Sequence, residues 1–210
     1  MGRIARIVVP DVPHHIIQRG NRSQQVFFND NDKLFYLKLA SEFAQKEKMD
    51  IWAYCLMDNH VHMIVVPHTE QSLANVFCNV HCKYTRRINS RYDWKGFLWQ
   101  GRFISFPMDD RYTFSAVRYV ERNPVRAGIV CKAEDYQWSS AFYHVSGIKN
   151  EFLLNDEPIK NEISDWKSYL SSNENVEDIK CIRNNCKNGL PLGDLDFIKN
   201  IESLMGRVLI

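Results

Sequence analysis

Apolar residues in the first two thirds of the chain alternate between short β-rich runs and longer stretches with a helical period. In residues 71–91 they recur every three or four positions, as one buried face of an amphipathic helix requires. The third helix is expected to end near Asn123, because Pro124 disfavours helical geometry in the residue before it. The pattern predicts strands at 14–18, 51–57, 61–66 and 99–106, and helices at 31–48, 71–91 and 110–122.

The predicted element order, β-α-β-β-α-β-α, indicates an α+β fold. It is the order of a ferredoxin-like layout, in which helices pack on one face of an antiparallel sheet. We expect this domain to span residues 1–145, followed by a polar connection over 146–178 that ends in the low-complexity string SSNENVED. Residues 179–210 regain a helical pattern around the turn NGLPLG, which predicts a small helical C-terminal extension.

Composition and length limit the class of protein. With 210 residues, 45% hydrophobic and 25% charged, the chain can form one ordinary domain with a modest appendage. Its first residues, MGRIARIVVP, do not resemble a signal peptide, and no apolar run reaches the roughly 18 to 20 residues that cross a bilayer. We therefore expect a cytoplasmic protein with no membrane partner. Six cysteines without a CxxC pair do not indicate a disulfide framework.

The net charge of +2 conceals an asymmetry along the chain. Residues 1–150 carry 20 Lys and Arg against 14 Asp and Glu, whereas residues 151–210 carry 7 against 11. Within 71–133 the basic excess reaches +7, and aromatic residues are interleaved with it. Such a stretch could bind a nucleic acid, with basic residues at the phosphates and aromatic residues stacked on the bases. The alternative is that the arginines are ordinary surface residues and the aromatics belong to the core.

The sharpest chemical pattern is Asp58-Asn59-His60-Val61-His62 at the start of a predicted strand. Because strand side chains alternate, His60 and His62 point to one side and Val61 to the other. Two neutral imidazoles suit a divalent metal but leave the site incomplete. Alone, the pattern is also compatible with a structural role.

The third predicted helix offers further candidates in the string SAVRYVERNPVR. Tyr119 and Asn123 are four residues apart, which places them one turn apart on a helix face. Asn123 would add an amide oxygen to a site for Mg²⁺ or Mn²⁺, and Tyr119 is a residue type that acts as a covalent nucleophile. The alternative is a half-buried tyrosine and an ordinary helix-ending asparagine.

Together these features resemble a known family. The strings HHIIQRGNR, YCLMDNHVHMIV, LWQGRF and YVERNPVRAGIV are similar to those of the REP-associated tyrosine transposases, which are single-tyrosine HUH transposases. The resemblance covers about residues 5–145. The string IR…NGLPLGDLDFI…ESLMGR also looks like the C-terminal extension of some longer members.

The resemblance implies an activity. His60, His62 and Asn123 would hold Mg²⁺ or Mn²⁺, and Tyr119 would cleave and rejoin single-stranded or hairpin DNA through a 5′-phosphotyrosyl intermediate. The protein would act at the nucleoid as a monomer or homodimer. The expected DNA-binding residues are Arg19, Arg22, Lys83, Arg86, Arg87, Trp99 and Arg102, of which Trp99 would either stack on a base or pack in the core.

Two other functions are compatible with the sequence. A catalytically silent protein of the same fold would only bind hairpin DNA. An interaction module would instead use His60, His62 and Cys55 for structural zinc, although thiolate pairs are the usual ligands there. The acidic C-terminal part would either shield the basic surface or contribute to DNA recognition.

Overall fold

A computed structural model describes residues 6–206 and 208–209, so the outermost residues of the predicted first and last domains, 1–5, 207 and 210, lie outside it. The α+β class and the element order β-α-β-β-α-β-α are confirmed. Four antiparallel strands form one sheet in the order β2-β3-β1-β4. The strands are β1 (His14–Arg19), β2 (Met49–Met57), β3 (His60–Pro67) and β4 (Ile104–Pro107). The helices are α1 (Asp30–Lys46), α2 (Ser72–Tyr92), α3 (Asp110–Glu121), α4 (Asn123–Arg126), α5 (Ala141–Ser146), α6 (Glu157–Glu162), α7 (Trp166–Ser171), α8 (Val176–Asn188) and α9 (Leu195–Met205).

The predicted arrangement of helices on one face of the sheet needs a correction, because helices cover both faces. Ile16 and Met63 point into a core formed with α1 and α2. Their neighbours Ile17 and Ile64 point the opposite way, into a second core with α3 and the C-terminal helices. Alternation along strands with apolar residues on both sides therefore creates two layers of helix around one sheet.

The last strand is shorter than the predicted 99–106. Trp99 makes only an isolated bridge to Gly20, and Gly101 has a φ of +153°, which takes the chain out of extended pairing before Ile104. The third helix ends at Glu121, close to the predicted position, and Pro124 occupies the first turn of α4. The start of α3 is fixed by Asp109, whose side chain accepts a 2.8 Å hydrogen bond from the Tyr112 backbone N–H.

The segment predicted as a polar connection, 146–178, contains α6, α7 and the start of α8. Its apolar residues Ile159 and Trp166 are buried in the core on the sheet side that carries α3, and Leu170 is buried in a smaller cluster with Ala133 and Ala141. The polar composition therefore reflects a thin layer with an exposed outer surface rather than an unpacked linker. The division into three domains remains a prediction. Within the described ranges, no helix is long and apolar enough to span a membrane.

A buried polar network fixes α3 to this outer layer. His144 on α5 lies 2.6 Å from Glu121 through Nδ1 and 3.3 Å from Asp156 through Nε2. Burial disfavours the charged imidazole, but the two carboxylates outweigh it and raise the pKa of His144 to about 9. Glu121 is two residues from Tyr119, so the network helps to fix the segment that carries the tyrosine.

This network predicts a pH dependence of stability. Because the folded-state pKa of His144 exceeds its ordinary value of 6.5, the network's contribution is complete below about pH 6.5 and is lost as pH rises through about 9. The free energy of unfolding, measured with urea, should therefore decline from pH 6 to pH 9.5, and the decline should be smaller in His144→Gln. An equal decline in both proteins would contradict the assignment.

Candidate functional site

The predicted metal ligands and nucleophile line one open cavity, which lies where strand β3 begins. His60 and His62 come from the start of β3, Tyr119 from the last turn of α3, and Asn123 from the start of α4. The cavity has a volume of about 1260 Å³. One strand and two helices from distant parts of the sequence thus bring these four side chains to the same space.

The two histidines and the tyrosine are close neighbours. The rings of His60 and His62 are 5.0 Å apart, as expected for residues two positions apart on a strand. The ring of His62 lies 5.9 Å from that of Tyr119. Val61 between the histidines is buried on the α1 and α2 side, so the alternation predicted from the sequence is confirmed.

Hydrogen bonds fix the orientation of both imidazoles. Nδ1 of His60 donates to Asn59 Oδ1 at 2.6 Å, which leaves Nε2 with a free lone pair. Nδ1 of His62 lies 2.9 Å from Nε2 of His15, a second buried histidine. When His62 donates in this pair, its own Nε2 is likewise free to bind a cation.

Both histidines are uncharged at neutral pH. Burial and the nearby charge of Arg19 lower the pKa of His60 to about 4. Burial, followed by the neighbouring His15 and His60, lowers the pKa of His62 well below its usual value. A neutral imidazole is the form that binds a metal.

The donor set suits a divalent cation bound partly by substrate. Among the described residues, no three His, Cys, Asp or Glu side chains are grouped to hold a metal. The third donor in the cavity is the amide of Asn123, which gives two nitrogens and one oxygen. Cys55 faces His62 across the strand pair, but burial raises the pKa of its thiol and disfavours the thiolate that structural zinc needs.

Tyr119 is next to Arg126 and lines the same cavity as Arg183. Its side chain is only 8% exposed, and the Arg126 guanidinium lies 4.0 Å from the centre of its ring. Burial and the nearby Cys186 raise the pKa of the Tyr119 hydroxyl, while the charges of Arg126 and Arg183 oppose this rise. The hydroxyl is therefore protonated at neutral pH but lies beside positive charge.

Three residues of this environment were missed by sequence reasoning: His15, Arg126 and Arg183. His15 could have been found, since strand alternation places it on the same face as Ile17 and β1 pairs with β3. Its Nδ1 is buried without a hydrogen-bond partner within the described part of the chain. The positions of the Arg126 and Arg183 side chains depend on how α4 and α8 pack, and local periodicity does not reveal this packing.

The predicted DNA-binding residues separate into groups. Arg19 and Arg102 line the cavity, and Arg22 is exposed in the turn after β1. Trp99 is buried in an aromatic cluster with Tyr36 and Tyr84, so it packs in the core and is not presented to a base. Three predicted residues project from α2, which packs on the opposite face of the sheet: Lys83, Arg86 and Arg87.

Comparisons with known proteins bear on this geometry. The family model described as "Transposase IS200 like" matches residues 8–123, more than half of the chain. A solved REP-associated tyrosine transposase bound to a REP hairpin is similar with a TM-score of 0.60 and 18% identity, over 74% of this chain and 93% of that one. A Deinococcus radiodurans R1 protein described as a transposase has a TM-score of 0.40 and 16% identity, over 58% and 97% of the two chains. The comparison with curated proteins gave no match.

Proposed function

Because the chain belongs to the IS200-like transposase family, we propose that it cleaves and rejoins single-stranded, hairpin-forming DNA by a metal-dependent transesterification. The observation that carries this proposal is the convergence of His60, His62, Tyr119 and Asn123 on one cavity. The family supports a protein that cleaves and transfers DNA. The reaction, the metal and the roles of individual residues are the parts that we propose.

His60, His62 and Asn123 would hold the cation, for which Mg²⁺ and Mn²⁺ are the candidates. Their donor atoms are two uncharged imidazole nitrogens and an amide oxygen, and phosphate oxygens and water would complete the coordination. When bound, such a cation polarises the phosphorus and stabilises negative charge on the nonbridging oxygens. Asn59 and His15 would keep the two imidazoles oriented toward it.

Tyr119 would be the nucleophile. Its hydroxyl oxygen would attack the scissile phosphorus, forming the O–P bond as the bond from phosphorus to the 3′ oxygen breaks. The phenolic proton would pass to water, and the leaving strand would keep a free 3′-hydroxyl. Attack by a 3′-hydroxyl on the phosphotyrosine would reverse these steps, so cleavage and strand joining would be one reaction in two directions.

A folded DNA substrate is proposed from the solved relative, which is bound to a REP hairpin. Arg19 and Arg102 at the cavity would contact phosphates near the scissile position. Arg22 and the α2 residues Lys83, Arg86 and Arg87 would contact other parts of the hairpin. With one nucleophilic tyrosine, each chain would form one covalent link at a time. Exchange of two DNA ends would therefore use a homodimer or successive steps of a monomer.

The test uses hairpin oligonucleotides taken from repeats that flank the protein's own gene. With Mg²⁺ or Mn²⁺, we expect a protease-sensitive covalent adduct, detected as a shifted band on a denaturing gel. An oligonucleotide with a scrambled stem serves as the matched control. Binding without any adduct would instead support the catalytically silent DNA-binding protein.

A further inference from the structure

Helix α8 of the C-terminal extension forms one wall of the proposed active site. Arg183, Cys186 and Lys187 line the same cavity as Tyr119. Their spacing of three and four residues places them on one face of the helix. The family match ends at residue 123, so it assigns no role to this helix.

Buried and polar contacts hold α8 in this position. Asp178 near its start accepts hydrogen bonds from Ser115 Oγ at 2.8 Å and from Arg111 at 3.0 Å, both on α3. Ile182 is fully buried in the core on that side of the sheet. At the other end, the Asn185 side-chain amide donates to the Leu190 carbonyl at 2.9 Å. The contacts of Asp178 and Ile182 dock α8 on α3 and the sheet, and they direct the face that carries Arg183 toward the cavity.

Arg126 and Arg183 differ in whether their charge is paired with a carboxylate. Arg126 forms a 3.0 Å salt bridge with Glu174, and its guanidinium also donates to the Tyr119 carbonyl. Arg183 lines the same cavity as Tyr119, where its charge opposes the rise in the pKa of the Tyr119 hydroxyl, and it forms no salt bridge among the described residues. Its guanidinium is available to an anion that enters the cavity, next to the atom that would attack.

We propose that Arg183 is a catalytic residue supplied by the C-terminal extension, and that its guanidinium binds a nonbridging oxygen of the scissile phosphate next to Tyr119. This inference rests on the proposed transesterification. Arginine suits the role because its planar N–H groups match phosphate oxygens and stay charged during the reaction. It donates hydrogen bonds only, so the bonds made and broken remain those of the tyrosine attack.

The test compares Arg183→Ala and Arg183→Lys with wild-type protein in single-turnover adduct formation at saturating hairpin DNA. Loss of one charge-stabilising donor should slow the reaction about 10²- to 10³-fold, and lysine should restore part of the rate. The dissociation constant for the hairpin should change only a few fold. Arg183 is exposed on a docked helix, so both variants should unfold at the wild-type temperature.

Lys180→Ala is the matched control. Lys180 is on the same helix and exposed, and it pairs with Glu177 at 2.9 Å, so its loss removes the same charge without altering the cavity. Wild-type rates for Arg183→Ala, or a loss that higher DNA concentration restores, would overturn the catalytic role. If wild-type protein forms no adduct with the hairpin, the proposed function itself fails, and this role fails with it.

Discussion

Tyr119→Phe is expected to abolish the covalent adduct while folding and hairpin binding persist. The substitution removes only the hydroxyl oxygen that would attack phosphorus, and the ring keeps its contacts with His62 and Arg126. Removing a nucleophile typically lowers the chemical step by about 10⁴-fold or more. The measurement is the yield of protease-sensitive adduct on a denaturing gel, with hairpin affinity determined in parallel.

Tyr112→Phe is the internal control for this prediction. Tyr112 lies two turns earlier on α3, where its surroundings are Cys181, Arg111 and Asp178 rather than the histidines. Its variant should form adduct at the wild-type rate. Adduct formation by Tyr119→Phe together with its loss in Tyr112→Phe would show that the wrong tyrosine has been assigned.

His60→Ala and His62→Ala are each expected to lower cleavage by at least about 100-fold, and EDTA should have the same effect on wild-type protein. Even the outer partners of a metal ligand typically contribute 10- to 100-fold to metal affinity or activity, and a direct ligand contributes more. In both variants, the cleavage rate should rise less as Mn²⁺ is added. Titration without DNA should show that both variants bind Mn²⁺ less tightly than wild-type protein.

His68→Ala provides the comparison for the metal prediction. His68 is partly exposed and pairs with Asp11 at 2.6 Å and Asp50 at 3.0 Å, and it does not line the cavity. Its variant should keep the wild-type rate and metal dependence. Full cleavage by metal-free protein in EDTA would remove the proposed role of both histidines.

Much of the sheet and of the candidate site could be predicted because local rules control them. Alternation along β3 was sufficient to place His60 and His62 on one side, and the spacing from Tyr119 to Asn123 placed both near one surface. Both pairs line the cavity. The interruption between α3 and α4 at Arg122 did not separate the second pair, because helical hydrogen bonds continue on both sides of it: the Arg122 N–H bonds to the Arg118 carbonyl at 2.9 Å and the Arg126 N–H to the Arg122 carbonyl at 3.0 Å.

The second helical layer could not be predicted from the same rules. Residues 146–178 have too few apolar positions for a clear period, yet Ile159 and Trp166 are buried because the sheet offers them an apolar surface. Arg183 lines the same cavity as Tyr119 because Asp178 and Ile182 dock α8 on α3. Such contacts between distant segments depend on tertiary packing, which no local pattern encodes. The position of Trp99 also depends on tertiary packing. Its neighbours Gln100 and Arg102 line the cavity, whereas its own ring is buried.

The chemistry of the adduct tests the proposed tyrosine attack. A hairpin oligonucleotide with different fluorophores at its two ends would be incubated with wild-type protein and Mg²⁺. The adduct would then be trimmed with nuclease, digested and sequenced by mass spectrometry. We expect the 3′-end label to stay with the protein, the 5′-labelled fragment to be released with a free 3′-hydroxyl, and the nucleotide to be on Tyr119. Retention of the 5′-end label, or a nucleotide on any other residue, would contradict this proposal.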